Sequence, residues 1–241
     1  GNTPLNGTPS SIQIVGSNAY IAYKPADDRT PNLPSGLHVV HVSEEGMPAQ
    51  IAELNLDNPS DAMDKVYAVG IAVVGKYAYV TDIWGKVHIN DVSTPENPEK
   101  IGFAELGGRL CEIKVRNNYA YIANELGGLV IYSLENPEHP ARVAEIGTLG
   151  IIRRMVFDGD HIYISDSTGL ITADISNPHL PKLVNAIDTP HAANDVAVAN
   201  NLAYVADTDS GIQVIDYSVQ PPPLLAGSIA SGGVDVVANG D

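Results

Sequence analysis

The feature that most restricts the fold of this chain is a tyrosine-centred strand pattern that occurs five times. Residues 117–133, NNYAYIANELGGLVIYS, contain one copy: a two-residue turn, a strand of alternating apolar residues, a Gly-Gly break and a second alternating strand. The central tyrosines are 59, 42, 42 and 41 residues apart, at Tyr20, Tyr79, Tyr121, Tyr163 and Tyr204. A period near 41 in a strand-rich sequence is typical of β-propeller blades rather than of helical repeats.

Each repeat is predicted to contain four short strands, which we call a, b, c and d in chain order. A two-residue turn joins strands a and b, and its first residue is always Gly or Asn. Such turns require positive φ, which Gly and Asn adopt at low cost. The five turns are Gly16-Ser17, Gly75-Lys76, Asn117-Asn118, Gly159-Asp160 and Asn200-Asn201. One such sheet leaves two faces and two edges open, so packing several sheets around an axis explains the repetition.

The predicted fold is therefore all-β: a β-propeller of four-stranded antiparallel blades, with five complete repeats and the first strand of a sixth. Residues 1–10, rich in Gly, Pro and Asn, are predicted to be a loosely ordered segment before a propeller at residues 11–241. The repeats cover about residues 11–56, 67–107, 109–148, 151–189 and 192–230, with a partial sixth at 231–241. The first repeat is longer because of insertions at residues 24–35 and 56–65.

The partial sixth repeat has two interpretations. We expect the natural protein to continue past Asp241 with the rest of a sixth repeat, so that this chain is a fragment of a propeller with six or more blades. Alternatively, residues 234–238 complete a sheet in a neighbouring molecule, because unpaired strand edges invite strand exchange.

Composition argues against several classes of function. The chain has 29 acidic and 13 basic residues and a net charge of −16, whereas nucleic acids and anionic membranes are bound by basic patches. No run of 18 apolar residues exists, so no membrane-spanning helix is predicted. Cys111 is the only cysteine, and the seven histidines lack the spacing of zinc motifs. No nucleophile elbow, phosphate-binding loop or dinucleotide fingerprint appears.

The aspartates that precede a serine by two positions after strand c are predicted to cap turns through local backbone hydrogen bonds, and they are Asp91, Asp174 and Asp216. The residues that end strand b are predicted to lie in loops at one mouth of a central channel, and they are Asp82, Asn124, Asp166 and Asp207. The sequence DTDSG also spaces Asp207 and Asp209 as a calcium loop does, but it lacks the later ligands. Capping is the favoured interpretation, and a calcium site is the alternative.

Topology places the candidate site at one end of the sheets. If strand a is innermost, the a–b and c–d turns share one end, the turn end, and the b–c turns and d–a loops share the other, the loop end. The loop end carries the variable sequence, where function is usually found. Nine residues before each tyrosine, and at the matching place in the partial repeat, stand Ser11, Gly70, Glu112, Arg154, Asp195 and Asp235.

These residues, together with Arg109 and His191, are predicted to surround one mouth of a central channel. We expect Arg154 to pair with Glu112 or Asp195. Such a mouth could orient a polar ligand, but an ion-paired border around a water-filled channel is favoured, because structural ion pairs give the same pattern.

Trp84, the only tryptophan, lies in the short sequence DIWGK of the loop end. It could stack on a sugar or on a side chain of a partner. Covering the edge of its own sheet is slightly favoured. His38 and His88 occupy equivalent places in strand c of adjacent repeats, and they are interpreted as separate, half-buried side chains.

The later repeats resemble a known family. GLVIYSLENPEHPARVAEIG, GLITADISNPHLPKLVNAI and GIQVIDYSVQPPPLLAGSI are similar to LVIVD repeats, which occur in β-propellers of bacterial and archaeal surface proteins. The resemblance covers residues 11–241, and the first repeat departs from it with His41 where later repeats have Asp. It implies a secreted or cell-surface location and indicates the fold more strongly than any activity.

The favoured function is therefore a non-catalytic propeller module that interacts with a protein or a polysaccharide, without a cofactor. The candidate binding residues are Trp84, Arg109, Glu112, Arg154, His191 and Asp195. The alternative is a hydrolase or lyase at the channel mouth, with Glu112, Asp195 and His191 as acid and base. Calcium at Asp207 and Asp209 is a further alternative.

Overall fold

The architecture consists of five four-stranded antiparallel sheets that follow one another along the chain. The computed structural model describes residues 5–25, 34–42, 46–57, 65–125, 128–218, 223–229 and 235–238. Each sheet contains four consecutive strands, and each strand pairs with its neighbours in sequence. This arrangement confirms the predicted β-propeller-like repeat fold. Within the described ranges, no helix is long and apolar enough to cross a bilayer.

The strand bounds follow the predicted a–b–c–d order. The first sheet contains β1 (Thr8–Val15), β2 (Asn18–Lys24), β3 (Gly36–Val42) and β4 (Pro48–Asn55). The second contains β5 (Ala68–Val74), β6 (Tyr77–Asp82), β7 (Lys86–Asp91) and β8 (Glu99–Glu105). The third contains β9 (Leu110–Arg116), β10 (Tyr119–Asn124), β11 (Gly128–Ser133) and β12 (Ala141–Ile146). The fourth contains β13 (Ile152–Asp158), β14 (His161–Asp166), β15 (Gly169–Asp174) and β16 (Lys182–Asp188). The fifth contains β17 (Ala193–Ala199), β18 (Leu202–Asp207), β19 (Gly211–Asp216) and β20 (Leu224–Ile229).

The first sheet begins earlier than predicted, because β1 starts at Thr8 rather than near residue 11. The residues just before it also contact this sheet. The carbonyl oxygen of Asn6 lies 2.9 Å from Nε2 of His38, and Leu5 packs against a buried cluster of strands b and c. Residues 5–10 therefore contact or belong to the first sheet, and β1 begins three residues before the approximate boundary predicted at residue 11. Residues 1–4, 26–33 and 58–64, with parts of both insertions, lie outside the described residues.

Strands b and c supply most of the buried side chains. β6, β10 and β14 are buried over their last five residues, whereas β8, a strand d, is exposed along nearly its whole length. Burial on both faces requires a neighbouring sheet on each side of strands b and c. The sequence of strand b is accordingly apolar on both faces, and strand d is the outer edge.

Two compact units form along the chain: residues 1–122 with 132–141, and residues 123–131 with 142–241. The division passes through the third sheet. In the first unit, one apolar cluster joins Tyr20 and Val39 of the first sheet to Ile71 and Val80 of the second. In the second unit, another joins the fourth and fifth sheets, with Tyr163 of β14 among its members. Neighbouring sheets within each unit thus share a core, as blades of a propeller do.

The tight turns have the predicted backbone conformation. The first residue of each a–b turn has φ between 48° and 60°, and it is Gly16, Gly75, Asn117, Gly159 or Asn200. The second glycine of the Gly-Gly break in residues 117–133 is required by a close contact between strands. Gly128 has φ of 77°, and a Cβ added there would collide with the carbonyl oxygen of Ile146 in the paired strand d. Strand c of the third sheet therefore begins with glycine, because strand d of that sheet lies too close for a side chain.

Candidate functional site

In the fourth and fifth sheets, a buried aspartate at the loop end connects the b–c turn to the d–a loop that enters the same sheet. In the fourth sheet, Oδ1 of Asp166 accepts hydrogen bonds from the backbone N–H groups of Thr168 and Gly169, at 2.7 and 2.9 Å. Its Oδ2 accepts from the N–H of Gly150, in the d–a loop, at 3.2 Å. The side chain is fully buried. One carboxylate thus accepts hydrogen bonds from three backbone N–H groups of the turn and the loop.

Asp207 makes the same connection in the fifth sheet, and Asp82 binds the b–c turn of the second sheet. Oδ1 of Asp82 accepts from the backbone N–H of Trp84 at 2.8 Å, and Oδ2 lies 2.8 Å from Nε2 of His88. Asp207 accepts from the N–H of Ser210 at 3.2 Å and from that of His191 at 2.9 Å. Asp82 and Asp207 thus cap their b–c turns, a role that was predicted from the sequence only for Asp207. His88 contacts Asp82 whereas His38 stacks on Tyr23 at 4.0 Å, so the two histidines have separate partners.

The turns after strand c are also capped as predicted. The N–H groups of Ser93, Ser176 and Ser218 donate to the side chains of the aspartates two positions earlier, at 2.8, 2.8 and 2.7 Å. Hydrogen bonds from Ser93 and then Lys76 lower the pKa of Asp91 to about 2. In the first repeat, Nδ1 of His41 lies 3.0 Å from Oδ1 of Asn18, a side-chain contact in place of the cap.

The calcium alternative involves Asp207 and Asp209. Asp207 is fully buried and bound to backbone N–H groups, and Asp209 is exposed. Within the described part of the chain, no three His, Cys, Asp or Glu side chains are placed to hold a metal ion. Turn capping accounts for Asp207 without a cation.

A β-bulge precedes the candidate residues of strand a. The register of the a–b pair shifts just before Ser11, Gly70, Arg154 and Asp195. Bulges redirect side chains and occur often beside functional sites. These bulges were not predicted from the sequence, although each lies just before the residue that precedes the central tyrosine by nine positions.

In the first unit, the candidate residues are spread over exposed and half-buried positions. Trp84 is 63% exposed, so it does not cover the edge of its own sheet. Covering that edge was the interpretation slightly favoured from the sequence. Oε1 of Glu112 lies 3.8 Å from Nζ of Lys114, a pair at the limit of an ion pair. The Cα of Glu112 lies 3.4 Å from the place of a Cβ on Gly70, so adjacent repeats do bring these two positions together. Arg109 is exposed.

In the second unit, two candidate residues, Asp195 and Asp235, are brought together. The carboxyl groups of Asp195 and Asp235 are hydrogen-bonded to each other, and Oδ2 of Asp195 accepts from the N–H of Val236 at 2.9 Å. Burial, then the hydrogen bond with Asp235, raises the pKa of Asp195 to about 6. The pKa of Asp235 is lowered by the same hydrogen bond and by the positive charge of Arg154. The positive charge of Arg154 thus acts on the carboxyl group of Asp235. The predicted pairing of Arg154 with Glu112 or Asp195 stays a prediction.

His191, the remaining acid–base candidate, lies beside Ser210 and Asp207. Its Nδ1 is 2.8 Å from Oγ of Ser210 and 3.5 Å from Oδ1 of Asp207. These residue types match a catalytic triad, but a triad uses one ring nitrogen for the serine and the other for the aspartate. Here both neighbours contact Nδ1, so the histidine cannot pass a proton from the serine while held by the aspartate.

Comparison with known sequences identifies the repeats. The model of the LVIVD repeat matches residues 67–103, 107–148, 150–189 and 191–230, which correspond to the second to fifth sheets. No curated protein sequence matches the chain.

Comparison with solved structures supports the fold. A functionally unknown protein from Desulfotomaculum acetoxidans DSM 771 is 16% identical, with a TM-score of 0.67 over 93% of this chain and 74% of that one. Sqt1 from Chaetomium thermophilum is 11% identical, with a TM-score of 0.67 over 93% of this chain and 63% of that one. The computationally designed Ika4 protein is 10% identical, with a TM-score of 0.53 over 68% of this chain and 98% of that one. Identities this low are informative about the fold alone.

Proposed function

Because the chain belongs to the LVIVD-repeat family, whose repeats fold here as β-propeller-like sheets, we propose that it is a non-catalytic module of a secreted or cell-surface protein. It binds a protein or polysaccharide partner through the b–c turns and d–a loops of the loop end.

The observation that carries this proposal is the use of the carboxylates at the loop end. Asp82, Asp166 and Asp207 are buried and hold backbone N–H groups in place, so they stabilise loops rather than react with a substrate. A rigid set of loops costs little entropy when a partner binds, which favours recognition. The arrangement around His191 lacks the geometry of a proton relay, which also favours binding over catalysis.

Trp84 is the best candidate for a partner contact. Asp82 fixes the turn that carries it, since its Oδ1 accepts from the N–H of Trp84 and from that of Lys86 at 3.0 Å. The indole is thus exposed on a backbone that is already ordered. Aromatic side chains of this kind supply much of the energy of binding sites, by stacking on sugar rings or on side chains of a partner. The net charge of −16 favours a neutral polysaccharide or a basic protein surface.

A glycan array probed with the labelled 241-residue chain tests the polysaccharide arm, and titration with a lysine-rich protein tests the protein arm. We expect binding in at least one arm, and Trp84→Ala should weaken it by about tenfold or more, as loss of an aromatic anchor does. Leu180→Ala is the matched control, because Leu180 is 69% exposed on a c–d turn. Binding in neither arm, or equal binding by both variants, would contradict the proposal.

A second candidate function is the hydrolase or lyase, and Asp195 favours it. A buried carboxyl group whose pKa is raised to about 6 can hold a proton near neutral pH and donate it as a general acid. Asp235 would then be the ionised partner. The test is turnover of a panel of polysaccharides by the chain and by Asp195→Asn. Turnover that is lost in Asp195→Asn and falls as the pH rises through about 6 would support an enzyme. If the whole panel stays intact, the enzyme is refuted.

A further inference from the structure

The fourth and fifth sheets border a cavity of about 170 Å³ at the turn end. Its lining includes Tyr163 of β14, Thr172 of β15, Asn185 of β16 and Tyr217, which follows β19. All of these residues belong to the second compact unit. None of them was a candidate in the sequence analysis, which placed function at the loop end.

The repeats themselves show that this lining is unusual. At the place of Thr172 the other repeats have apolar Val39, Ile89, Ile131 and Val214. In the paired strand d, Asn185 lies opposite Thr172, whereas Ala52, Gly102 and Gly227 lie opposite the corresponding residues of the first, second and fifth sheets. At the place of Tyr217 the other repeats have Val42, Val92, Leu134 and Ile175. Three polar substitutions therefore meet at one place where the repeat pattern is aliphatic or small.

The equivalent place between the second and third sheets is closed. There Leu134 and Pro140 stand where the fifth repeat has Tyr217 and Pro223, and the enclosed volume is only about 10 Å³. The hydroxyl of Tyr79 donates to the carbonyl oxygen of Pro137 at 3.2 Å across this contact. Stacking of two such sheets therefore does not by itself leave a cavity of about 170 Å³.

Two donors at the cavity have no acceptor among the residues that the structure describes. Nδ2 of Asn185 is buried and has no hydrogen-bond partner, while its Oδ1 accepts from the N–H of Ala186 at 2.9 Å. The hydroxyl oxygens of Thr172 and Tyr217 lie 2.9 Å apart. Whichever of these hydroxyls donates, the proton of the other remains available. A buried donor without an acceptor destabilises the fold, so its presence at a cavity indicates that something else supplies the acceptor.

The remaining lining defines the shape and charge of that acceptor. The rings of Tyr163 and Tyr217 meet edge to face with centroids 5.0 Å apart, and Val184 and Pro223 add apolar surface. Among the described residues, His161 also lines the cavity, whereas no Asp, Glu, Lys or Arg does. A ligand that fits is neutral, presents C–H groups to aromatic rings, and carries several acceptor oxygens around one ring. The volume is below the roughly 300 Å³ of sites for drug-sized ligands, so one ring is accommodated rather than a chain.

We propose that this cavity is a binding site for a single neutral sugar ring, held by the Asn185 amide, the Thr172–Tyr217 hydroxyl pair and the two tyrosine rings. The site shares no residue with the loop end, so it does not rest on the function proposed above. It gives the chain a second recognition site, at the turn end of the fourth and fifth sheets.

Saturation-transfer NMR on the 241-residue chain, with glucose, galactose, mannose and N-acetylglucosamine as separate probes, tests this site. At least one sugar should receive saturation. The informative variants return the cavity to the repeat pattern: Tyr217→Leu, as in the third repeat, and Asn185→Gly, as in the second and fifth. Each should weaken sugar binding at least about tenfold, the size of one lost hydrogen bond or aromatic contact. Because other sheets already contain these residues, both variants should fold, and circular dichroism checks that they do.

The control variant is Trp84→Ala, which should leave this binding unchanged while it weakens the partner binding of the loop end. The proposal is overturned if none of the four sugars binds, or if binding persists equally in Tyr217→Leu and Asn185→Gly. Binding of blocked tyrosine or proline dipeptides in preference to every sugar would overturn the assignment of a sugar. Sugar binding that Trp84→Ala alone abolishes would place the sugar at the loop end instead.

Discussion

Replacement of Asp166 by alanine is the most direct test of how the loop end is held together. In the native fold, this buried carboxylate accepts from the backbone N–H groups of Thr168, Gly169 and Gly150, and from the hydroxyl of Thr168 at 2.7 Å. Alanine removes all four acceptor contacts at once. The N–H groups of Gly150 and Gly169 then lose their partner at buried positions.

The expected cost follows from those two donors. Each buried donor left without an acceptor costs about 1–3 kcal/mol, and bonds to a charged group lie at the upper end. Asp166→Ala should therefore lower the free energy of unfolding by about 3–5 kcal/mol, a large effect for one side chain. Asparagine, which the third repeat has at this place as Asn124, is the matched control. Its Oδ1 retains the contacts with Thr168 and Gly169, but its amide faces the N–H of Gly150. Asp166→Asn should cost only about 1–2 kcal/mol.

Urea unfolding followed by circular dichroism measures the difference between the two variants. Hydrogen exchange, read on peptides that span residues 148–170, shows where the protection is lost. The amides of Gly150, Thr168 and Gly169 should exchange faster in Asp166→Ala than in Asp166→Asn. If alanine costs less than about 1 kcal/mol, or if both variants are equally destabilised, the carboxylate does not connect the turn to the loop as argued.

Three further predictions concern other contacts. The raised pKa of Asp195 means that the native state holds this proton more tightly than the unfolded chain, so stability should fall as pH rises from about 4 through about 6. In thermal melts, the stability of Asp195→Asn should no longer fall over this pH range. If its pH profile matches that of the wild type, the proton on Asp195 does not contribute to stability as stated. Gln13→Ala should cost about 1–2 kcal/mol in urea, because its amide bonds both the N–H and the carbonyl of Val73 in the next sheet, at 2.8 and 3.0 Å. A wild-type midpoint would contradict this. Gly128→Ala should lower the melting temperature more than Gly102→Ala, since Gly102 has open space and φ is positive only at Gly128. Equal changes in melting temperature would show that strand d moves away from the added Cβ at little cost.

The sequence predicted the fold in detail because the relevant signals are local. Positive φ at Gly75 or Asn117 is a property of a two-residue turn, whatever surrounds it. The caps are similarly local, since Asp91 and Asp174 bind N–H groups only two residues away. Because these signals occur five times, mostly 41 or 42 residues apart, the β-propeller was the one practical architecture. The same locality explains why the start of the first sheet was placed too late, since Thr8 lies in a polar segment without a turn signal.

The site was predicted less well because it depends on contacts between repeats. Asp195 and Asp235 were recognised as equivalent positions, but their hydrogen bond is visible only once the chain folds. Covering its own sheet was slightly favoured for Trp84, but the side chain is 63% exposed. The cavity by Tyr217 was missed because its residues come from three strands of the fourth sheet and from the c–d turn of the fifth, far apart in the chain.

The sequence by itself determined the number of complete sheets, their strand order and the chemistry of their turns, since each depends on residues close together in the chain. Only the tertiary structure decided which polar side chains meet, which donors are left without a partner and where a cavity remains. Those outcomes depend on how one sheet packs on the next. The side chains of neighbouring strands fill or leave space together, and no single repeat contains that information.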